Sequence, residues 1–99
     1  MKAAPRSIDS ARVLLVADLE DASVTGNTRH VVYGAEVTEF AALAITQYDG
    51  DEGVYLFYCD EAWETVSDTY HDSVEDAISQ AEFEFEPVEF RSPEPNSDP

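Results

Sequence analysis

The chain has 99 residues, of which 22 are acidic and 5 basic, giving a net charge of −17 with 43% apolar residues. That length makes one domain, able to bury a core without help from a metal or a disulfide. So acidic a composition excludes direct binding of nucleic acid, which needs a basic footprint for phosphates, and no run approaches the roughly 20 apolar residues of a membrane-spanning helix.

Residues 1–10 ("MKAAPRSIDS") are polar with a proline and read as a flexible N-terminal tail, and residues 92–99 ("SPEPNSDP") as a disordered C-terminal one. A single domain over 11–91 is expected between them. "ARVLLVADL" at 11–19 has the branched apolar residues of a buried strand, although periodicity alone also admits a short helix. Its apolar run is too short, and too closely flanked by Arg12 and Asp18, to be an export signal. The single cysteine, Cys59, has no internal partner for a disulfide. Both features point to a reducing, cytoplasmic setting.

"DASVTGNTRH" at 21–30 is turn-rich, with a bend expected at Gly26 and Asn27, and a short extended piece follows at 31–33. "FAALAITQY" at 40–48 reads as a strand and "DGDEG" at 49–53 as a hairpin loop. "VYLFYC" at 54–59 is apolar at every position, as a strand with both faces covered must be. "DEAW" turns the chain at 60–63, and "ETVSDTYH" returns it as a strand over 64–71.

A helix start follows. Ser73 with Asp76, or Asp72 with Glu75, places side-chain oxygens where they accept from free backbone N–H groups, and acids at the positive end of the helix dipole. Val74, Ala77, Ile78, Ala81 and Phe85 then recur at helical spacing and share a sector of roughly 100°. A helix to about residue 85 or 86, the favoured reading, leaves Phe83 pointing outward among Glu75, Asp76, Ser79, Gln80, Glu82 and Glu84, whereas a helix that frays at Glu82 would make "EFEFE" a strand and take Phe83 into the core. Pro87 stops it. The expected fold class is α+β: a three- to four-stranded antiparallel meander with one C-terminal helix packed on one face.

The charge is uneven. Residues 1–48 hold six acids against four bases, whereas residues 49–99 hold sixteen acids against Arg91 alone. Repulsion among so many carboxylates works against folding, and a basic partner drawn in by their field would offset it. Adaptation to a saline solvent explains the same composition with no partner.

Other constellations are weaker. Cys59 and His71 have the chemistry of a thiolate and its base, but no nucleophile motif or oxyanion hole accompanies them, and a core thiol is the simpler reading. Asp68, His71 and Asp72 offer ligands for a divalent metal, with a strand end running into a helix cap as the structural reading. The glycine and glutamate of a calcium loop are not at the right offsets in "DGDEG". His30 stands alone in a polar stretch. No cofactor motif is present. Aromatic residues among acids suit a protein interface, where rings supply energy and charge supplies specificity.

The stretch "VYLFYCDEAWETVSDTYHDSVEDAISQAEFEF" at 54–85 resembles a segment of a small acidic bacterial family whose order is a YLFYCD strand, a tryptophan turn, a DTYH strand and a QAEFEF helix. No activity is established for that family. The hairpin-then-helix order is also similar, more loosely, to bacterial immunity proteins and to antitoxins of toxin–antitoxin pairs. Sixteen acids against one base in residues 49–99 make a non-catalytic interaction protein the expectation, rather than an enzyme. The expected partner is a basic protein, met by Glu75, Asp76, Glu82 and Phe83 on the outer helix face and by Asp60, Glu61, Trp63 and Glu64 on the neighbouring turn. The alternative is a small enzyme or metal-binding domain centred on His71.

Overall fold

A computed structural model describes residues 3–27, 30–37 and 39–93. Its centre is a five-stranded antiparallel sheet in the order β1(Ser7–Ile8), β2(Ala11–Asp18), β6(Ala42–Gln47), β7(Val54–Cys59), β8(Thr65–His71). Between β2 and β6 the chain makes an excursion through β3(Ser23–Val24), β4(His30–Val32) and β5(Ala35–Val37). After β8 come the helix α1(Val74–Glu84) and the two-residue β9(Phe85–Glu86), which pairs with β3.

The class is α+β, with five strands in the main sheet where three to four were expected. The expected meander β6–β7–β8 is present, with Leu56 opposite both Ile45 and Thr69. Ala11–Asp18 is a strand, not a helix, and pairs with β6. The fifth strand corrects the reading of residues 1–10 as a tail. Ser7 and Ile8 pair with Arg12 and Ala11, and Ile8 is buried in the core. Two residues are too few to show alternation, and one apolar side chain is enough to anchor them. Of the expected C-terminal tail, residues 94–99 lie outside the described residues, as do Thr28, Arg29 and Thr38.

Alternation decides which side chain goes to which face. Leu43, Ile45, Leu56 and Tyr58 point to the helix side, and Ala42, Ala44, Phe57 and Cys59 to the other. Both faces are covered. On the first lie Ala77, Ala81 and Phe85 of α1 and its C-terminal extension. On the second lie Ile8 and Trp63. A bulge between Val13 and Leu15 breaks the alternation of β2, so that both Leu14 and Leu15 pack on the helix side. Each fully buried Leu or Ile contributes roughly 1.5–3 kcal/mol relative to exposure, so Leu43, Ile45 and Leu56 on β6 and β7 are major contributors to stability.

The helix begins as the sequence predicts. Ser73 is extended and its Oγ accepts the Asp76 N–H at 3.1 Å, with Glu75 and Asp76 in the first turn. The helix ends at Glu84, because Phe85 and Glu86 become extended and join β3. Its last carbonyls, which no helical N–H can reach, are taken by the excursion. The Phe83 carbonyl accepts from Thr25 Oγ1 at 2.6 Å and Asn27 Nδ2 at 2.9 Å, and the Glu84 carbonyl accepts from the Thr25 N–H at 2.8 Å. Gly26 supplies the positive φ of 86° that this bend requires.

Candidate functional site

Two groups of side chains stand out, one on the surface and one inside. The surface group is a groove between α1 and the edge strand β8, lined by Tyr70, His71, Asp72, Asp76, Gln80 and Phe83. Phe83 is 52% exposed and Tyr70 50%, which is high for rings of that size. Tyr70 also packs edge-on against Tyr55, which in turn meets Tyr48, so its ring is braced from the sheet side. Burial and nearby carboxylates, Asp9 foremost, raise the Tyr48 pKa above its usual value.

The electrostatics around this groove are one-sided. The described cations are Arg6, Arg12 and Arg91. Arg6 precedes β1, Arg12 lies on β2, and Arg91 bridges to Val16 of β2, so all three occupy the edge opposite β8. With strands about 4.8 Å apart, three spacings separate β2 from β8, or roughly 14 Å. Every described acid on β8, on α1 and in the turns beside them is exposed except Glu84.

The expected interface residues divide. Glu75, Asp76, Glu82 and Phe83 are exposed on α1, with Phe83 outward as its helical position requires. Asp60, Glu61 and Glu64 are exposed too, but at the other end of β7. The helix follows His71, which pairs with Val54, while the turn follows Cys59. Five residues at about 3.3 Å each put roughly 17 Å between those two ends. The turn therefore does not adjoin the first turn of the helix.

Trp63 is the clear correction. It is 4% exposed and packs with Phe57, Cys59 and Ile8 on the face away from the helix. Its backbone is left-handed, with φ 65°, which folds the turn back so that the indole reaches the core. Asp60 organises that turn. Its Oδ1 accepts the N–H groups of Ala62 at 2.8 Å and Glu64 at 2.9 Å.

The interior group centres on a glutamate that the sequence reading places among the solvated acids of the helix. Glu84 is 4% exposed, alone in burial among the described Asp and Glu side chains. Its Oε2 accepts from the Tyr58 hydroxyl and, at 2.7 Å, from Gln80 Nε2, and its Oε1 lies 2.7 Å from His30 Nε2. The other ring nitrogen, Nδ1, is 2.7 Å from Ser67 Oγ on β8. An ionised carboxylate only accepts, so with Glu84 ionised the proton of this contact belongs to Nε2, and a neutral ring then accepts from Ser67 at Nδ1. Tyr58 and Phe40 pack on the imidazole at 4.2 and 5.2 Å between centroids. Burial first, and the bond to Glu84 second, raise the Tyr58 pKa far above its ordinary value.

The order Ser67, His30, Glu84 resembles a nucleophile, base and carboxylate. The carboxylate, however, is shared with Tyr58 and Gln80, and the imidazole lies against two aromatic rings with its side chain 10% exposed. What the cluster does physically is fasten the excursion to the helix end and to β8. A signal for Glu84 existed: it lies seven residues after Ala77 and three after Ala81, on their face of the helix. His30 had none.

Neither constellation around His71 assembles. Cys59 ends β7 opposite Thr65, whereas His71 ends β8 opposite Val54, at the other end of that strand pair. Burial, and secondarily Asp60, push the Cys59 thiol up to about 12. His71 Nε2 is 2.7 Å from Thr69 Oγ1, and among the described residues no three His, Cys, Asp or Glu side chains converge to hold a metal ion. No helix among the described residues is long and apolar enough to cross a membrane.

Comparison with known proteins adds no identity: no family model, no curated protein and no solved structure matches the chain.

Proposed function

We propose that this is a non-catalytic binding protein for a basic protein partner, of the kind represented by immunity proteins or by mimics of nucleic-acid charge. The observation that carries this reading is the groove between β8 and α1. Half-exposed Phe83 accompanies the carboxylates of Asp72 and Asp76 there, the half-exposed ring of Tyr70 stands on the other face of the same edge strand, and the described cations lie on the opposite edge of the sheet. Aromatic rings supply contact energy once desolvated, and surrounding charge steers and selects the partner. The contact surface is Glu75, Asp76, Glu82 and Phe83, joined now by Asp72, with Tyr70 on the other face of β8 beside it. Trp63 drops out because it is part of the core.

The test compares the wild-type chain with a triple variant, Glu75→Gln, Asp76→Gln and Glu82→Gln, as bait in native lysate at low and moderate salt. Circular dichroism confirms the fold of each. The expected result is a salt-sensitive basic partner retained by the wild type and lost by the variant. Identical captured proteins for both baits would refute the reading.

A further inference from the structure

We propose that β8 accepts an added β-strand, an extended lysine- or arginine-bearing segment of the partner that hydrogen-bonds along the outer edge of Thr65–His71. This rests on the binding role proposed above and supplies its geometry.

A five-stranded open sheet has two edges, and the chain treats them differently. The β2 edge is closed. Ser7 and Ile8 pair with its first residues, Val13 donates to the Arg6 carbonyl at 2.9 Å, and Val16 exchanges two hydrogen bonds with Arg91, both at 2.8 Å. The β8 edge has no backbone pairing of that kind among the described residues. Its backbone pairs with β7 on one side, and β4 lies close to it, with His30 hydrogen-bonded through its side chain to that of Ser67. The strand is seven residues long and contains no proline or lysine. An unpaired edge of that length is a template for another strand, and proteins that leave one open commonly use it for recognition.

Charge selects the occupant. Asp68 is exposed in mid-strand, with Glu64 and Asp72 exposed just beyond the two ends. Two copies pairing antiparallel about Asp68 would set that carboxylate against itself, which disfavours self-association through this edge. A strand with a cation at that position is favoured instead. Register fixes the rest. Asp68 and Tyr70 face the side of Phe57 and Tyr55, while Ser67, Thr69 and His71 face the helix. Alternate side chains of the added strand therefore fall beside Asp68 and Tyr70, where an ammonium or guanidinium meets carboxylate and ring. The others enter the groove, where Phe83 offers an apolar contact and Asp76 a charge.

The probe is an acetylated, amidated heptapeptide of alternating lysine and valine. Its control is the same peptide N-methylated at the three central residues, which keeps charge and side chains but removes donors from both edges. The full chain, labelled with nitrogen-15, is titrated with each, following amide shifts and hydrogen exchange. The expected result is protection of the outward amides of β8, at least tenfold weaker binding of the methylated peptide, and at least tenfold weaker binding of the unmethylated one to the folded Asp68→Lys variant. Equal affinity for both peptides, with shifts confined to α1, overturns strand addition but leaves the charge-driven reading intact. Binding of neither peptide also overturns it, and the bait experiment then decides the broader reading separately. Sedimentation showing a dimer that Asp68→Lys alters, without peptide, would assign the edge to a second copy and overturn the proposal too.

Discussion

Glu84, the last residue of α1, accepts the hydroxyl of Tyr58 from the interior of the sheet, and both residues are buried. Three donors converge on this one carboxylate: Tyr58, Gln80 and His30. Each donor left without an acceptor in a buried place costs about 1–3 kcal/mol. Glu84→Ala is therefore expected to lower stability by about 3 kcal/mol or more in urea unfolding, and Glu84→Gln, which keeps one acceptor oxygen, by about half as much. A loss under about 1 kcal/mol for the alanine variant would show that the donors find other partners.

Trp63 is the single tryptophan, so its fluorescence reports one site. Its burial predicts a blue-shifted emission that resists quenching by iodide and moves red on unfolding. Trp63→Ala removes a ring from the core and is expected to cost about 3–5 kcal/mol. Emission typical of a water-exposed indole would contradict the placement.

Alkaline pH supplies a further check. The Cys59 thiol is raised from 9.0 to about 12 by burial. Below the lower value the folded and unfolded chains both keep the proton, so this group gives no pH dependence. Above it the unfolded thiol ionises while the buried one does not. Its contribution therefore falls with rising pH until the folded pKa is reached, with a limiting slope of about 1.4 kcal/mol per pH unit. Tyr58, also raised, adds to the fall at higher pH. Urea unfolding between pH 8 and pH 11 should show a shallower decline for Cys59→Ala than for the wild type, and equal slopes would count against a buried thiol.

Phe83 separates stability from binding. Half its surface is already in water, so Phe83→Ala is expected to change stability by no more than about 0.5 kcal/mol. Partner affinity should fall tenfold or more, about 1.4 kcal/mol. Calorimetry with the captured partner measures the second quantity; unchanged affinity would remove Phe83 from the interface.

The meander and the helix were legible because they are periodic. β6 and β7 announce themselves by continuous apolar residues, α1 by its cap at Ser73 and the spacing of Val74, Ala77, Ile78 and Ala81. The same spacing held the burial of Glu84, overlooked because a glutamate among glutamates looks solvated. Trp63 misled for the opposite reason. An aromatic residue in an acidic turn looks like an interface anchor, and only the left-handed backbone at that residue sends it inward. The excursion has no period to read: β3, β4 and β5 are two or three residues each and depend on partners far away in the chain. His30 acquires its role only once Ser67 and Glu84 are brought to it from 37 and 54 residues away.

Arg91 completes the border of β2 that Ser7 and Ile8 begin, so the first and last described segments of the chain run side by side. A label or surface tether attached at Ser7 or Arg91 sits on that border, with the width of the sheet between it and β8, and so leaves the acidic groove open to solution.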